Sequence, residues 1–347
     1  MSLGKKLIST DAAGGIDGTA NFAPVIYTGT GGVQSISSLS FAPDMVWIKK
    51  RSSATSSDHS IQDTIRGFSN GGSRILYPNL NLAETTNADA NYFRSFDSNG
   101  FTLGGNTYYN GSSETYVAWC WKGAASTTTI ASGTNGSNVI SNVRANTDGG
   151  FSIVKFGALG AANSIVSHGL SSPPELIIYK NLDTADNWYL YTSATGLGKY
   201  LNLNTNGAVV TNASNGFTSV NSNTFTVNLT TNADDTVAYC FHSVAGYQSI
   251  GSYNGSSSAV TVTTGFNPRW VLIKRSNLTN KDWVMFDQAR SGGNDMNDFL
   301  VANTAAAEFV NAGDTKINGL SNGFSVNAGM WDGVNASGGE YFYWAIA

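Results

Sequence analysis

The sequence predicts an all-β protein made of three tandem antiparallel β-sandwich repeats behind an N-terminal arm. The first observation is a recurring segment. Phe41-Ala42-Pro43-Asp44-Met45-Val46-Trp47-Ile48-Lys49-Lys50 returns as Phe266-Asn267-Pro268-Arg269-Trp270-Val271-Leu272-Ile273-Lys274-Arg275. A weaker copy lies between them, Ser172-Pro173-Pro174-Glu175-Leu176-Ile177-Ile178-Tyr179-Lys180. A segment used three times marks a structural unit used three times. The second observation is spacing: 76 residues separate Pro43 from Trp119 and Pro268 from Trp344, while 65 separate Pro174 from Tyr239. The middle unit has therefore lost about one loop. The third is texture. Apolar runs are short, rich in aromatic and β-branched residues, and divided by Gly, Asn and Ser, with no long 3.6-residue period.

Residues 1–22 read as an arm, because Asp11-Ala12-Ala13-Gly14-Gly15-Ile16-Asp17-Gly18-Thr19 is small and flexible with no periodic apolar face. Repeat one covers 23–123, from Val25-Ile26-Tyr27-Thr28-Gly29 to the closing strand Thr115-Tyr116-Val117-Ala118-Trp119-Cys120-Trp121. Residues 124–149 form a Ser/Thr/Asn/Gly linker in which Ile130, Val139, Ile140 and Val143 can make an edge strand. Repeat two covers 150–245 and closes at Thr236-Val237-Ala238-Tyr239-Cys240-Phe241. Repeat three covers 246–347 and closes at Tyr341-Phe342-Tyr343-Trp344-Ala345-Ile346. Each is about a hundred residues, the size of one small sandwich of six or seven strands. In the first closing strand Tyr116, Ala118 and Cys120 point one way and Val117, Trp119 and Trp121 the other. Both sets are apolar, so this strand is expected to be central and covered on both faces. Met45 and Trp47 set against Val46 and Ile48 repeat the pattern. Proline at a strand's first position costs no ladder bond.

Composition narrows the function. Hydrophobic residues make up 41% of the chain, enough for packed cores, but charged residues only 12%, about half the usual share. Such a surface suits neutral hydrogen bonding and lateral assembly. A net charge of −4 argues against nucleic acid as the main partner, since phosphate binding needs clustered Lys and Arg. No apolar run reaches the roughly 18 residues of a membrane span, and the first residues lack a signal-peptide core, so a soluble cytoplasmic product without membrane insertion is expected. The two cysteines, Cys120 and Cys240, occupy matching strand positions and read as buried thiols rather than a disulfide.

Candidate chemistry is sparse. Asp63 with Arg66, and Asp287 with Arg290, occupy matching places in the outer repeats, while Thr192 and Thr195 stand there in the middle one. A ligand-binding pair is one reading; a structural salt bridge tying a loop to its sandwich is the favoured one. Lys49, Lys180 and Lys274 recur at one strand position, where a solvated strand end outweighs an anion-binding row. His59, His168 and His242 share no repeat position and no metal-ligand spacing. Asp183/Asp186, Asp234/Asp235 and Asp295/Asp298 sit in Asn-rich loops and read as turn residues rather than calcium ligands. No paired-carboxylate cleft, nucleophile elbow or phosphate loop is visible, so no catalytic residue, metal or cofactor is expected. Eight Trp and fifteen Tyr exceed what three small cores need. Tyr108, Tyr109, Trp188, Trp283 and Trp331 lie in or near polar segments, and are the candidates for exposed rings that stack on sugars or anchor an interface.

The order of Tyr27-Thr28-Gly29, Phe41–Lys49, Asp63-Thr64-Ile65-Arg66-Gly67, Ser98-Asn99-Gly100-Phe101-Thr102-Leu103-Gly104 and Tyr116–Trp121 resembles repeats in virion proteins of tailed bacteriophages, especially marine and cyanobacterial phages. His168-Gly169-Leu170, Gly251-Ser252-Tyr253-Asn254-Gly255, Trp283-Val284-Met285-Phe286-Asp287 and Ser321-Asn322-Gly323-Phe324 extend the likeness over essentially the whole chain. The resemblance implies a lectin- or jelly-roll-like sandwich and a virion component without enzymatic activity, usually described as a tail fibre or adhesin. On that reading the chain is a tail-associated protein that contacts the host surface, with host glycan as a partner. Residues 1–22 anchor it to other virion proteins, and it assembles as a homo-oligomer of threefold symmetry. The alternatives are a head decoration, cement or head-fibre protein, and, less favoured, a glycan-degrading enzyme. The lack of heptads, collagen-like repeats or a shaft leaves head and tail both open.

Overall fold

The computed structural model describes residues 16–52, 56–69, 72–87, 89, 91–160, 162–212, 216–229, 232–310, 316–328 and 331–347. Within them the protein is all-β, and the same seven strands occur three times. The first unit has β1 (Phe22–Thr28), β2 (Gln34–Ile36), β3 (Met45–Lys50), β4 (Ser60–Asp63), β5 (Phe93–Asp97), β6 (Gly100–Leu103) and β7 (Thr115–Trp121). The second has β8 (Phe151–Gly157), β9 (Ser164–Ser167), β10 (Leu176–Asn181), β11 (Tyr189–Thr192), β12 (Phe217–Val220), β13 (Thr224–Val227) and β14 (Asp235–Phe241). The third has β15 (Gln248–Asn254), β16 (Val260–Thr263), β17 (Trp270–Arg275), β18 (Trp283–Asp287), β19 (Ile317–Leu320), β20 (Gly323–Val326) and β21 (Glu340–Ile346). Among the described residues no helix is long and apolar enough to cross a membrane.

Sheet order repeats with the strands. The inner sheets run β1-β7-β3-β4, β8-β14-β10-β11 and β15-β21-β17-β18; the outer ones run β2-β6-β5, β9-β13-β12 and β16-β20-β19. Register is equivalent too: Lys49 pairs with Val117, Lys180 with Val237 and Lys274 with Phe342. The hairpin glycines Gly100 and Gly323 are fixed by close approach. A Cβ there would lie 1.7 Å from the Ile36 carbonyl oxygen and 2.0 Å from that of Val262, and φ is 156° and 153°. The middle unit is shorter in two places, residues 193–216 against 64–92 and 288–316, and 228–234 against 104–114 and 327–339.

Each inner sheet buries one face against its own outer sheet. In the first unit Val46, Ile48, Tyr116, Ala118 and Cys120 pack on Phe93, Phe101 and Leu103. The opposite faces do not meet solvent. Met45, Trp47, Val117, Trp119 and Trp121 join Leu176, Ile178, Val237, Tyr239 and Phe241, and Trp270, Leu272, Phe342, Trp344 and Ile346, in a fourth core shared by all three units. The strand alternation thus sorts side chains between a private core and a common one. The three sandwiches close around a pseudo-threefold centre inside one chain.

At that centre the aromatic rings interlock across units. Phe241 lies 4.3 Å from Trp344, Trp121 5.7 Å from Trp344 and 6.1 Å from Trp270, and Phe22 6.0 Å from Trp270. Offset and edge-on contacts of this kind add roughly 0.5–1.5 kcal/mol each beyond area burial. Cys120 and Cys240 are buried and free in the first and second private cores, where burial pushes both thiols up.

Two segment boundaries differ from expectation. Phe22, placed at the end of the arm, is fully buried in the shared core, Ile16 packs against it, and Gly18 approaches Ala347. Residues 1–15 of the expected arm lie outside the described residues. The 124–149 linker holds two strands, Thr128–Ile130 and Ser141–Asn146, and the second pairs along β8 to widen the second unit's inner sheet.

Candidate functional site

The chemistry-bearing side chains gather at the seams between units. After its fourth strand each unit sends a loop over the next: residues 72–87, 199–211 and 295–309. Glu84 N–H donates to the Leu182 carbonyl at 2.8 Å, Val209 N–H to Ser276 at 2.8 Å and Glu308 N–H to Arg51 at 3.1 Å. The first unit clasps the second, the second the third, and the third the first. The ring closes.

A ring nitrogen locks each seam. Trp188 Nε1 donates to the Tyr77 carbonyl at 2.9 Å, and Trp283 Nε1 to those of Asn202 and Thr205 at 3.0 and 3.1 Å. The equivalent His59 places Nε2 3.1 Å from the Val301 carbonyl. Burial holds this imidazole's pKa well below its ordinary value, so the ring is neutral and the Nε2–H tautomer suits an accepting carbonyl, with Nδ1 accepting from Trp47 Nε1 at 3.0 Å. An asparagine braces each lock from within its own unit: Asn79, Asn204 and Asn303 accept from the backbone N–H of His59, Trp188 and Trp283 at 2.9, 2.9 and 2.8 Å.

The three lysines correct the expectation of solvated strand ends. Lys49, Lys180 and Lys274 are buried, because their position continues the Met45–Trp47 face toward the shared core. Lys49 Nζ donates to the carbonyls of Ser57 (2.6 Å) and of Ala305 in the third unit (3.1 Å). Lys180 donates to the Asp186 carbonyl (2.7 Å), and Lys274 to the Lys281 carbonyl with the Trp283 ring 5.8 Å away. Burial pushes each ammonium down to about 8. Unfolded lysine titrates near about 10.4. Between these values the unfolded chain binds more protons than the folded one, so stability rises with pH from about 8 to about 10. The penalty is fully present below pH 8. Lys180→Met removes one of the three groups, and its denaturant midpoint is expected to climb less steeply over that window than the wild type's. Equal slopes in a urea titration series would remove Lys180 as a source of the rise.

Both acid–arginine pairs are buried in the seams. Asp63 Oδ2 lies 2.5 Å from Arg66 Nε, and Asp287 Oδ2 2.6 Å from Arg290 Nε. Each arginine reaches on to a second carboxylate: Arg66 to Glu84 at 3.1 Å, Arg290 to Glu308 at 2.9 Å. A ring from the neighbouring unit completes each site. Tyr239 donates to Asp63 Oδ2 at 2.7 Å, and Trp119 Nε1 to Asp287 Oδ2 at 3.0 Å. The third seam would need Trp344 to reach an acid at position 192, where threonine stands, and Trp344 Nε1 instead donates to Gln248 of its own unit at 3.0 Å. Two seams carry a buried acid–arginine pair, and at the third threonines stand in its place. Glu84 and Glu308 escaped sequence reasoning, although both lie 21 residues after the strand-end aspartate.

Of the aromatics expected at the surface, three are corrected. Tyr109 is buried in the first private core, and Trp188 and Trp283 are fully buried beneath their neighbours' loops. Trp331 is half-buried beside Phe299, with ring centroids 6.3 Å apart. Tyr108 is 51% exposed, on a four-residue helix, Thr107–Asn110.

One seam also carries an open cleft of about 390 Å³, between the first unit and the 124–149 crossing. Its floor is Asp44, which accepts from Gly123 N–H at 2.7 Å, Thr64 Oγ1 at 2.8 Å and Arg144 Nη1. Arg144 Nη2 donates to the Ala125 carbonyl at 2.9 Å. Burial raises the Asp44 carboxyl, partly offset by the Thr64 hydroxyl and the Arg144 guanidinium. Phe96, Asp97, Ser98 and Lys122 line the walls.

No curated protein matches the chain, and no solved structure does. Residues 17–347, the whole of the three-unit ring, match a domain of unknown function, DUF7483, and the chain belongs to that family.

Proposed function

We propose that the chain is a structural component of a tailed-bacteriophage virion, a tail-associated adhesin that contacts the host surface. The observation that supports this best is the closed ring: three copies of one sandwich are locked in one rigid body, with their outer sheets facing away from the shared core. Three weak contacts made by one rigid body, multiplied again by copy number on a particle, hold far more tightly than one. The role is non-catalytic. Asp63, Arg66, Asp287 and Arg290 are enclosed by seams, which supports their structural reading. Gly18 lies beside Ala347, and that side of the ring suits attachment to other virion proteins through residues 1–22.

A head decoration protein is the second reading, favoured by the same internal threefold, which matches a threefold position on a capsid. Labelled antibody on purified particles separates the two. Label at the tail tip is expected; label spread over the head makes the protein a decoration, and label on neither removes it from the virion. Deleting residues 1–15, the part of the 1–22 arm outside the described residues, is expected to abolish incorporation into particles.

A further inference from the structure

We propose that the cleft between the first unit and the 124–149 crossing is a saccharide subsite, sized for one or two neutral sugar rings. The proposal rests on the adhesin reading and gives it a location. Symmetry singles the cleft out. The positions equivalent to Asp44 are Glu175, which accepts from Ser243 N–H at 2.5 Å, and Arg269, which donates to the Phe22 carbonyl at 3.1 Å. Neither faces a crossing strand like Ser141–Asn146, which occurs once, between units one and two. An element added to an otherwise threefold ring creates a wall that the other units lack.

The lining then fixes the ligand class. Two acids, Asp44 and Asp97, face two bases, Lys122 and Arg144, so the cleft has no surplus charge to select a phosphate or a carboxylate. Asp44 and Arg144 are paired with each other and form a set floor. Phe96 is half-buried and held by Phe93 at a centroid distance of 4.8 Å, leaving a fixed apolar surface against which the C–H face of a pyranose can lie. Asp97 is held in place by Ser95 Oγ and Thr102 Oγ1, each at 2.7 Å on a different carboxylate oxygen, and each oxygen keeps a lone pair for a sugar hydroxyl. Ser98 and Lys122 are exposed donors on the same rim. An aromatic platform, a preset acceptor and two donors in a volume of about 390 Å³ make a small-ligand site of the lower size range.

The test uses the whole chain and the methyl glycosides of glucose, galactose, mannose and N-acetylglucosamine, observed by saturation-transfer NMR. At least one is expected to bind, and Ser98→Trp, which fills the mouth from an exposed turn, is expected to weaken it about tenfold or more. Lys122→Ala is expected to weaken it less, both at unchanged melting temperature. Binding of the labelled chain to host cells is measured alongside. No glycoside binding, or binding untouched by both variants, overturns the cleft, and host-cell binding that persists then leaves the adhesin reading standing. A wild-type chain that ignores host cells yet binds a glycoside through Ser98 and Lys122 overturns that reading and keeps the cleft.

Discussion

Arg66→Ala is expected to destabilise the protein by about 3–5 kcal/mol, the cost of removing one partner from a buried ion pair. The guanidinium has no exposed surface and serves four acceptors: Asp63 Oδ2 at 2.5 Å, Glu84 Oε1 at 3.1 Å and the Ile61 and Arg74 carbonyls at 2.9 and 3.3 Å. Its removal leaves the Asp63 carboxylate enclosed, with only the Tyr239 hydroxyl and backbone amides as donors. Glu84 keeps Arg74 at 2.5 Å and suffers less. The middle unit shows how the loss is avoided, since Thr192 and Thr195 stand at the same positions without stranding a charge. The double variant Asp63→Thr with Arg66→Thr is therefore expected to lose less than half as much as Arg66→Ala alone. Urea denaturation of both variants checks this, and a double variant as unstable as the single one would show that the unpaired charge is not the cause.

Trp344→Ala is expected to cost a further class of stability, again about 3–5 kcal/mol, by opening a cavity in the shared core. Its ring touches Phe241 of the second unit, Trp121 of the first and Trp270 of its own. The damage cannot stay local. Amide exchange is expected to quicken in β7 and β14 as well as in β21, whereas Phe324→Ala, in the third private core, is expected to act first on β20 and β21. Exchange confined to the third unit in the Trp344 variant would mean that the units do not share the core energetically.

Much of the fold was legible in the chain. The threefold repeat, the register of Lys49 with Lys180 and Lys274, and the two-faced closing strand all follow from local pattern and spacing. So does the Asp63–Arg66 pair, because an acid three residues before an arginine at a strand end caps the turn and meets the guanidinium. The surplus of Trp and Tyr was visible as well, but its destination was not. Asp186-Asn187 before Trp188 and Lys281-Asp282 before Trp283 look like solvated turns, and nothing local reveals a neighbour's loop lying over the ring. The lysines failed for the same reason: their protons go to carbonyls supplied in part from another unit, over a sequence distance that no periodicity spans.

Three sandwiches on one polypeptide can be beads or a closed ring, and scanning calorimetry of the intact chain and Trp344→Ala distinguishes them most directly. A closed ring gives one transition whose calorimetric and van't Hoff enthalpies agree, shifted as a whole by the substitution. Separate transitions, with only the third unit's moved, would contradict the shared core.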